Sequence, residues 1–386
     1  MFPRITDFFN YLLGTNWQFP VQTYGFFLAL AFLAGGAILR QELKRKEKEG
    51  LLQIRQKKVQ KNKESGWGEI LLNSVLSSIV GFKFLGIAYN YKAFAANPQK
   101  YLLSAQGSLP AAILILAGLI GYALYRNSKL RDSKPEWTQA VIHPYQNTWN
   151  ILIIAVVAAL IGSKIFDIAD NFSGFLLNPI ESLLSFSGLT FYGGFIVTVI
   201  ALLYYMKVIE LDRRHVLDAA APAILIGYAV GRLGCHFSGD GCWGIVNELL
   251  KPGWLSWLPD WAWAFNFPHN VINHGIPIPG CSGPNCTVLG KPVWPTSLYE
   301  SMASFLLFGI LWSIRRKIKA PVVIFGIFLV MNGIERFLIE TIRVNNRFGI
   351  MGFEVTQAEI ISALLLLTGI GVIVYFSHVY RKSHSA

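Results

Sequence analysis

Two arginines, Arg232 and Arg336, fall inside apolar stretches of the chain. An ionised guanidinium at the centre of a membrane-spanning helix costs ~2.5 to 3.5 kcal/mol on insertion scales, so such a residue is expected to have a specific partner. Arg232 lies in Gly231-Arg232-Leu233-Gly234-Cys235-His236-Phe237-Ser238-Gly239-Asp240-Gly241-Cys242-Trp243-Gly244. Its glycines let backbone and ligand approach closely. Arg336, Glu340 and Arg343 are spaced by four and three, which predicts one shared helix face. A structural reading pairs Arg336 with Glu340 inside a helix bundle. Three arginines exceed what one carboxylate needs, however, and a lipid phosphate is the obvious anion at this depth.

The elements that must carry these residues are membrane helices. Apolar stretches at 21–39, 70–89, 109–125, 149–168, 190–206, 217–237, 297–314, 322–342 and 360–376 each approach the ~20 residues needed to cross a hydrocarbon core. The 217–237 stretch stands apart in being rich in Ala and Gly. The net charge of +12 lies mostly between these stretches, so it does not form the single basic face that nucleic acid would require, and no nucleic-acid partner is expected. With the N-terminus outside, twenty-three Lys and Arg fall on the inner connections and seven on the outer ones. That asymmetry predicts nine crossings of the cell inner (cytoplasmic) membrane, N-terminus periplasmic and C-terminus cytoplasmic. No cleavable signal pattern opens the chain, so the first stretch reads as a retained span. The basic run at 40–63 reads as a solvated helix attracted to anionic membrane lipids.

An ungapped shift of 81 residues aligns eleven identities in 27 positions, from Gly81, Lys83 and Ile87 to Gly107 against Gly162, Lys164 and Ile168 to Gly188. Each copy contains two apolar stretches, so the copies are parallel repeats. Structural enlargement of an older unit explains this best. Lys83 is expected to snorkel to the headgroups, and Lys164 to add positive charge to the site.

The motifs resemble those of the prolipoprotein diacylglyceryl transferase family. Residues 231–244 resemble the signature Gly-Arg-x-Gly-Asn-Phe-x-Asn-Gly-Glu-x-x-Gly with one inserted residue. Thr23-Tyr24-Gly25 is similar to the family's Trp-Tyr-Gly, and residues 295–300, with Tyr299 and Glu300, to Pro-Ser-Gln-Leu-Tyr-Glu. Residues 336–343 match Arg-Phe-x-x-Glu-x-x-Arg. Thr190-Phe191-Tyr192-Gly193-Gly194 stands where the family has Ser-Phe-His-Gly-Gly. The resemblance implies transfer of the diacylglyceryl group of phosphatidylglycerol to the lipobox cysteine thiol in preprolipoprotein signal peptides, with release of glycerol 1-phosphate. It implies no cofactor. Arg232 and Arg336 become phosphate clamps, oriented by Glu340 and Arg343. Tyr24, Gly193, Gly194, Gly231, Gly234, Cys235, Ser238, Asp240, Gly244, Tyr299, Glu300, Glu340 and Arg343 become the substrate-binding set.

The departures fall on the groups that would move a proton. Tyr192 replaces the family's His, and a phenol with pKa near 10 is a poor base unless a cation lowers it. Cys235 and Ser238 stand for Asn, and Asp240 for Glu. His236 is a new titratable group and a candidate base, although a lone His is more often structural. Either Tyr192 or His236 is catalytic, or the thiol ionises with help from the arginines alone.

The outer segment holds Trp254, Trp257, Trp261, Trp263 and three of the four cysteines. It reads as a small head with an interfacial aromatic belt, able to receive the signal peptide. A Cys281–Cys286 disulfide is expected across Ser-Gly-Pro-Asn, and Cys235 could pair with Cys242. His269 and His274 match no usual zinc spacing, so no metal is expected.

The expected architecture is an all-α integral membrane protein of about nine transmembrane helices, a seven-span core plus one duplicated hairpin. Its pieces are 1–41, with the first span; 42–67, a basic connection; 68–126, repeat copy 1; 127–148, a loop; 149–207, repeat copy 2; 208–238, the signature span; 239–296, the head; and 297–386, three last spans and tail. A transporter or receptor that keeps the anion clamp without catalysis is the rival reading.

Overall fold

Each of the nine apolar stretches is helical in the computed structural model, which describes residues 1–17, 19–62, 64–96, 98–131, 136–184, 190–345, 347–350 and 353–384. In chain order the helices are α1 (Ile5–Leu13), α2 (Thr23–Lys48), α3 (Trp67–Tyr89), α4 (Tyr91–Ala96), α5 (Pro98–Leu103) and α6 (Leu109–Arg131). They continue with α7 (Thr148–Asp170), α8 (Phe172–Leu177), α9 (Pro179–Leu184), α10 (Phe191–Val208) and α11 (Arg213–Ser238). The last are α12 (Thr296–Ile314), α13 (Val323–Glu340) and α14 (Gln357–His384). Three antiparallel pairs complete the secondary structure: β1 (Arg55–Gln60) with β2 (Trp137–Ile142), β3 (Ile276–Pro277) with β4 (Thr287–Val288), and β5 (Arg347–Ile350) with β6 (Phe353–Thr356).

Among the described residues seven helices, α2, α3, α6, α7, α11, α12 and α14, are long and apolar enough to cross a membrane. The protein is a multi-pass membrane protein. The other two expected spans miss that standard for physical reasons. α10 is short, its 18 residues reaching about 27 Å at ~1.5 Å per residue. α13 has the same length and carries Glu335, Arg336 and Glu340.

Contacts gather the elements into two compact units. One comprises Met1–Trp17, Val21–Gln53 and His143–Ala386, the other Gln18–Pro20 and Ile54–Ile142. The two hairpins, one in each unit, share element bounds at the repeat offset: α3, α4 and α5 recur 81 residues later as α7, α8 and α9. Asn97, Ser185 and Gly188 of the repeat lie outside the described residues.

The two repeat lysines behave differently from the expectation. Lys83 does not snorkel outward: its ammonium donates to the carbonyls of Tyr101 (3.0 Å), Gln106 (3.0 Å) and Ser104. Lys164 pairs with Asp167 at 2.8 Å, so its charge is offset locally. Asp167 corresponds by the repeat to Gly86, which has no carboxylate to give.

In the first unit α11 lies against α2, and small residues set the approach. A Cβ on Gly35 would stand 3.1 Å from the Ala223 carbonyl, one on Gly227 3.5 Å from that of Ala31, and one on Gly234 3.5 Å from that of Tyr24. Numbers rising on one helix meet numbers falling on the other, so the pair is antiparallel and its seam is lined by Gly and Ala. The Ala and Gly that distinguish 217–237 are thus the mark of the most enclosed span of the seven.

The basic run is the clearest correction. Its first part is the expected helix, with Arg40, Lys44 and Lys48 exposed on α2, but Arg45 and Lys46 bind buried acids and the chain then enters β1. Glu42, 1% exposed, binds Arg45 at 2.7 Å and Arg315 at 2.8 Å. Lys46 stands 3.6 Å from Asp218, whose carboxylate also accepts the backbone N–H groups of Val322 and Phe325, each at 3.0 Å. Asp218 thereby satisfies donors that the first turn of α13 leaves open.

Candidate functional site

At the opposite end of α2 from that network, Glu300, one turn into α12, organises the arginines. It is 1% exposed. Its Oε1 accepts from Arg343 Nη1 at 3.0 Å and its Oε2 from the Tyr228 hydroxyl at 3.0 Å. Arg232 Nε is in ion-pair contact with the same Oε2, although the N–H is not aimed along a hydrogen bond. Tyr228, one turn before Arg232 on α11, also lies under its guanidinium, 5.0 Å from ring centroid to charge. A buried carboxylate of this kind holds two cations in place at the cost of desolvating all three groups.

Arg343 does not share a helix face with Arg336 and Glu340, because α13 ends at Glu340. It enters the site from an extended segment that bridges to Gly244. Ile245 N–H donates to the Ile342 carbonyl at 2.9 Å, and a Cβ on Gly244 would fall 2.8 Å from Thr296 and 2.9 Å from Trp294 as well as on the Ile342 backbone. Glycine at 244 is therefore what lets the segment bearing Arg343 close on α12.

Arg336 forms no hydrogen bond or ion pair among the described residues. The alternative structural reading, a pair with Glu340, is not what forms: Glu340 accepts from Asn345 at 2.6 Å, and its other oxygen is buried without a partner. Glu335, also buried, has an unpartnered Oε1. Sequence reasoning missed Tyr228 and Glu335. Tyr228 was findable from its spacing of four to Arg232; Glu335 carries no such signal.

The remaining signature residues divide between the site and its scaffold. Tyr24, at the start of α2, is within electrostatic range of Arg232, Cys235 and Asp240. Cys235, on the last turn of α11, accepts from Arg232 Nη1 at 3.9 Å. Cys235, Asp240 and Cys242 place their sulfur and carboxylate atoms within 4.8 Å of one another, the one group among the described residues with metal-ligand character. Both thiols are free, so the disulfide that Cys235 and Cys242 could have made is not formed. Gly231 has open space at its Cβ position, whereas Gly234 is pressed against Phe27 at 2.7 Å. Ser238 is fully buried and its hydroxyl returns to the Cys235 carbonyl at 3.3 Å.

Several expected site residues brace the fold. Gly193 and Gly194 are buried against α7, where Gly162, Ser163 and Phe166 fill the space a side chain would need. Tyr192, beside them on α10, is 40% exposed. The Tyr299 hydroxyl donates to the Ala262 carbonyl at 2.7 Å and so ties α12 to the head. His236 is 3% exposed and ringed by Phe237, Trp261, Phe265 and Phe267, with Nδ1 unpartnered. The head's core is Phe267, Leu289 and Val293, and Cys281 and Cys286 are disulfide-bonded with Cα atoms 5.6 Å apart. Trp254 and Trp257 of the head are 77% and 73% exposed.

A sequence profile of the prolipoprotein diacylglyceryl transferase family matches residues 111–375. The chain belongs to this family. The phosphatidylglycerol–prolipoprotein diacylglyceryl transferase of Leptospira interrogans is 32% identical over 282 residues, covering 64% of this chain and 76% of that protein. The enzyme of the same name from Psychrobacter arcticus is 27% identical over 272 residues, 68% of this chain and 86% of that one. That from Dehalococcoides mccartyi is 26% identical over 239 residues, 60% and 77% respectively. Membership makes the chain a transferase of lipoprotein biogenesis and favours that reading over the transporter.

Proposed function

We propose that the chain transfers the diacylglyceryl group of phosphatidylglycerol to the lipobox cysteine of a preprolipoprotein signal peptide, at a site bounded by Arg232, Arg336 and Arg343. The observation that carries the reading is the guanidinium of Arg336, which forms no hydrogen bond or ion pair among the described residues and lies within electrostatic range of Glu335, as do Arg232 and Arg343, both held by Glu300. Arg336 grips the headgroup phosphate, and Arg232, fixed by Glu300 and Tyr228, adds its remaining donors. Both are aimed where negative charge builds on the departing glycerol phosphate. Preorganised cations in a water-poor site are worth more there than in water.

The acceptor sulfur attacks the sp³ carbon that bears the phosphate oxygen, a thioether bond forms, and the C–O bond breaks with its electron pair on glycerol 1-phosphate. Tyr24 lines the lipid pocket. The setting of His236 among four aromatic rings suits packing, so we do not cast it as the base; Tyr192 orients the acceptor. The site faces the periplasmic side of the inner membrane, with the N-terminus outside and the C-terminus in the cytoplasm, as the distribution of Lys and Arg supports. The head, with its exposed tryptophans, receives the signal peptide.

The test is direct. Purified protein, phosphatidylglycerol and a lipobox peptide should yield a peptide heavier by one diacylglyceryl group together with free glycerol phosphate. An unmodified peptide, under conditions in which the Leptospira enzyme modifies it, would remove the reading.

A further inference from the structure

The turn after α11 builds a second set of reactive groups that the arginines do not explain. Gly239 at φ +65° and Gly241 at φ +93° reverse the chain, a conformation that glycine adopts without strain. Gly239 N–H donates to the Cys235 carbonyl at 3.1 Å and so closes α11. Asp240 Oδ1 accepts Cys242 N–H at 3.1 Å, which fixes that carboxylate beside the side chains of Cys235 and Cys242. The reversal returns residues 240 and 242 toward the side chain of Cys235. Two free thiols and a carboxylate oxygen then lie within 4.8 Å of one another, with Cys235 buried and Cys242 half-buried.

Two thiolates and a carboxylate are a donor set that selects zinc among common divalent ions. Zn–S bonds of ~2.3 Å put tetrahedral sulfurs roughly 3.8 Å apart, so side-chain rotation alone closes the group around an ion. The charges fit: three anionic ligands around a dication leave one negative charge, and Arg232 Nη1 stands 3.9 Å from Cys235 Sγ to offset it. Three protein ligands leave a fourth position open, the pattern of reactive rather than purely structural zinc. Cys235 and Asp240 are also positions at which the chain departs from the signature it resembles, alongside the loss of the His at Tyr192.

We propose that Cys235, Asp240 and Cys242 bind a Zn²⁺-class ion whose open fourth position takes the acceptor thiol. The ion site stands on its own residues, while the role of the fourth position rests on the transferase reading above. It revises the expectation that no metal is present. A thiol that coordinates such an ion loses its proton, here to water, without any dedicated base. The bound thiolate then makes the C–S bond while the C–O bond to phosphate breaks toward Arg336; no oxidant or reductant is consumed.

Two measurements on the full-length protein in detergent test this. The first is zinc content of the reduced protein after loading and removal of free ion. One zinc per chain is expected, with loss in Cys235→Ser and Cys242→Ser and at least about tenfold weaker binding in Asp240→Asn. The second needs no variant: cobalt should give a thiolate-to-metal absorption band in the wild-type chain. A cysteine-containing lipobox peptide should intensify that band, and its serine counterpart should leave it unchanged. Absence of the cobalt band, or a Cys235–Cys242 disulfide in the protein as isolated without reductant, overturns the site. A band indifferent to the cysteine peptide overturns the fourth ligand. Turnover without metal leaves the transferase reading standing and removes this one; metal binding without turnover does the reverse.

Discussion

Arg343 Nη1 donates to Glu300 Oε1 at 3.0 Å, although Arg343 lies beyond the end of α13 and Glu300 one turn into α12. The same carboxylate meets Arg232 of α11 and the Tyr228 hydroxyl. One buried acid thus fixes cations from two separate segments, and this sets what its removal should do. Glu300→Gln keeps the shape but loses the charge that orients both guanidinium groups. Activity should fall by roughly 10²-fold, mostly in kcat, since a misaimed transition-state donor is worth about that much. Steady-state kinetics on the variant, against a wild-type-like chromatographic profile, check it; a change confined to KM would contradict the assignment.

Arg232 and Arg336 should separate when stability and turnover are measured together. Removing Arg232 takes one of two cations from the buried Glu300 carboxylate, and breaking a buried ion pair typically costs about 3 to 5 kcal/mol. Arg336 forms no ion pair among the described residues, so Arg336→Ala should shift stability by less than about 1 kcal/mol while lowering turnover about 10²- to 10³-fold. Thermal unfolding in detergent alongside kcat distinguishes the two. Equal destabilisation by both substitutions would mean that Arg336 is a structural residue.

The glycines of the signature give a steric test. Gly231→Ala meets no protein atom within 4 Å, so the fold should be kept and any lost activity reports the approach of substrate. Gly234→Ala meets Phe27 at 2.7 Å and Gly244→Ala the backbone of Ile342; both should destabilise by about 1 to 3 kcal/mol. Gly244→Ala should also lower activity, because the segment it displaces carries Arg343. Unfolding midpoints for the three variants decide the matter.

The spans were legible because ~20 apolar residues leave few soluble alternatives, and the duplication because an 81-residue shift preserves Gly81, Lys83 and their neighbours. The arginines were legible because charge in such spans demands a reason. What pairs with what was not. The spacing of Arg336, Glu340 and Arg343 assumed an unbroken helix, and α13 stops before Arg343. The basic run looked solvated throughout because Asp218, which meets Lys46, and Arg315, which shares Glu42 with Arg45, lie far away in sequence. Gly193 and Gly194 read as ligand-facing although their neighbours on α7 need that space. Long-range charge pairing and helix-seam packing leave no local pattern, so composition and spacing carry neither.

The N-terminus supplies a pH dependence. The Met1 ammonium donates to the Pro268 carbonyl at 2.8 Å, and burial lowers its pKa from an ordinary value near 8 to about 6, against the opposing charge of Asp7. Between these two values the unfolded chain binds more protons than the folded one, so stability must rise with pH across that window. The gain is complete above pH 8 and absent below pH 6. It amounts to at most about 2 to 3 kcal/mol at ~1.4 kcal/mol per pKa unit. Unfolding midpoints measured at both ends of the window should therefore increase with pH in the native chain. An N-terminally acetylated chain keeps an N–H for Pro268 but cannot be charged, and should lose that increment. If acetylation left the slope unchanged, the pH dependence would belong to another group.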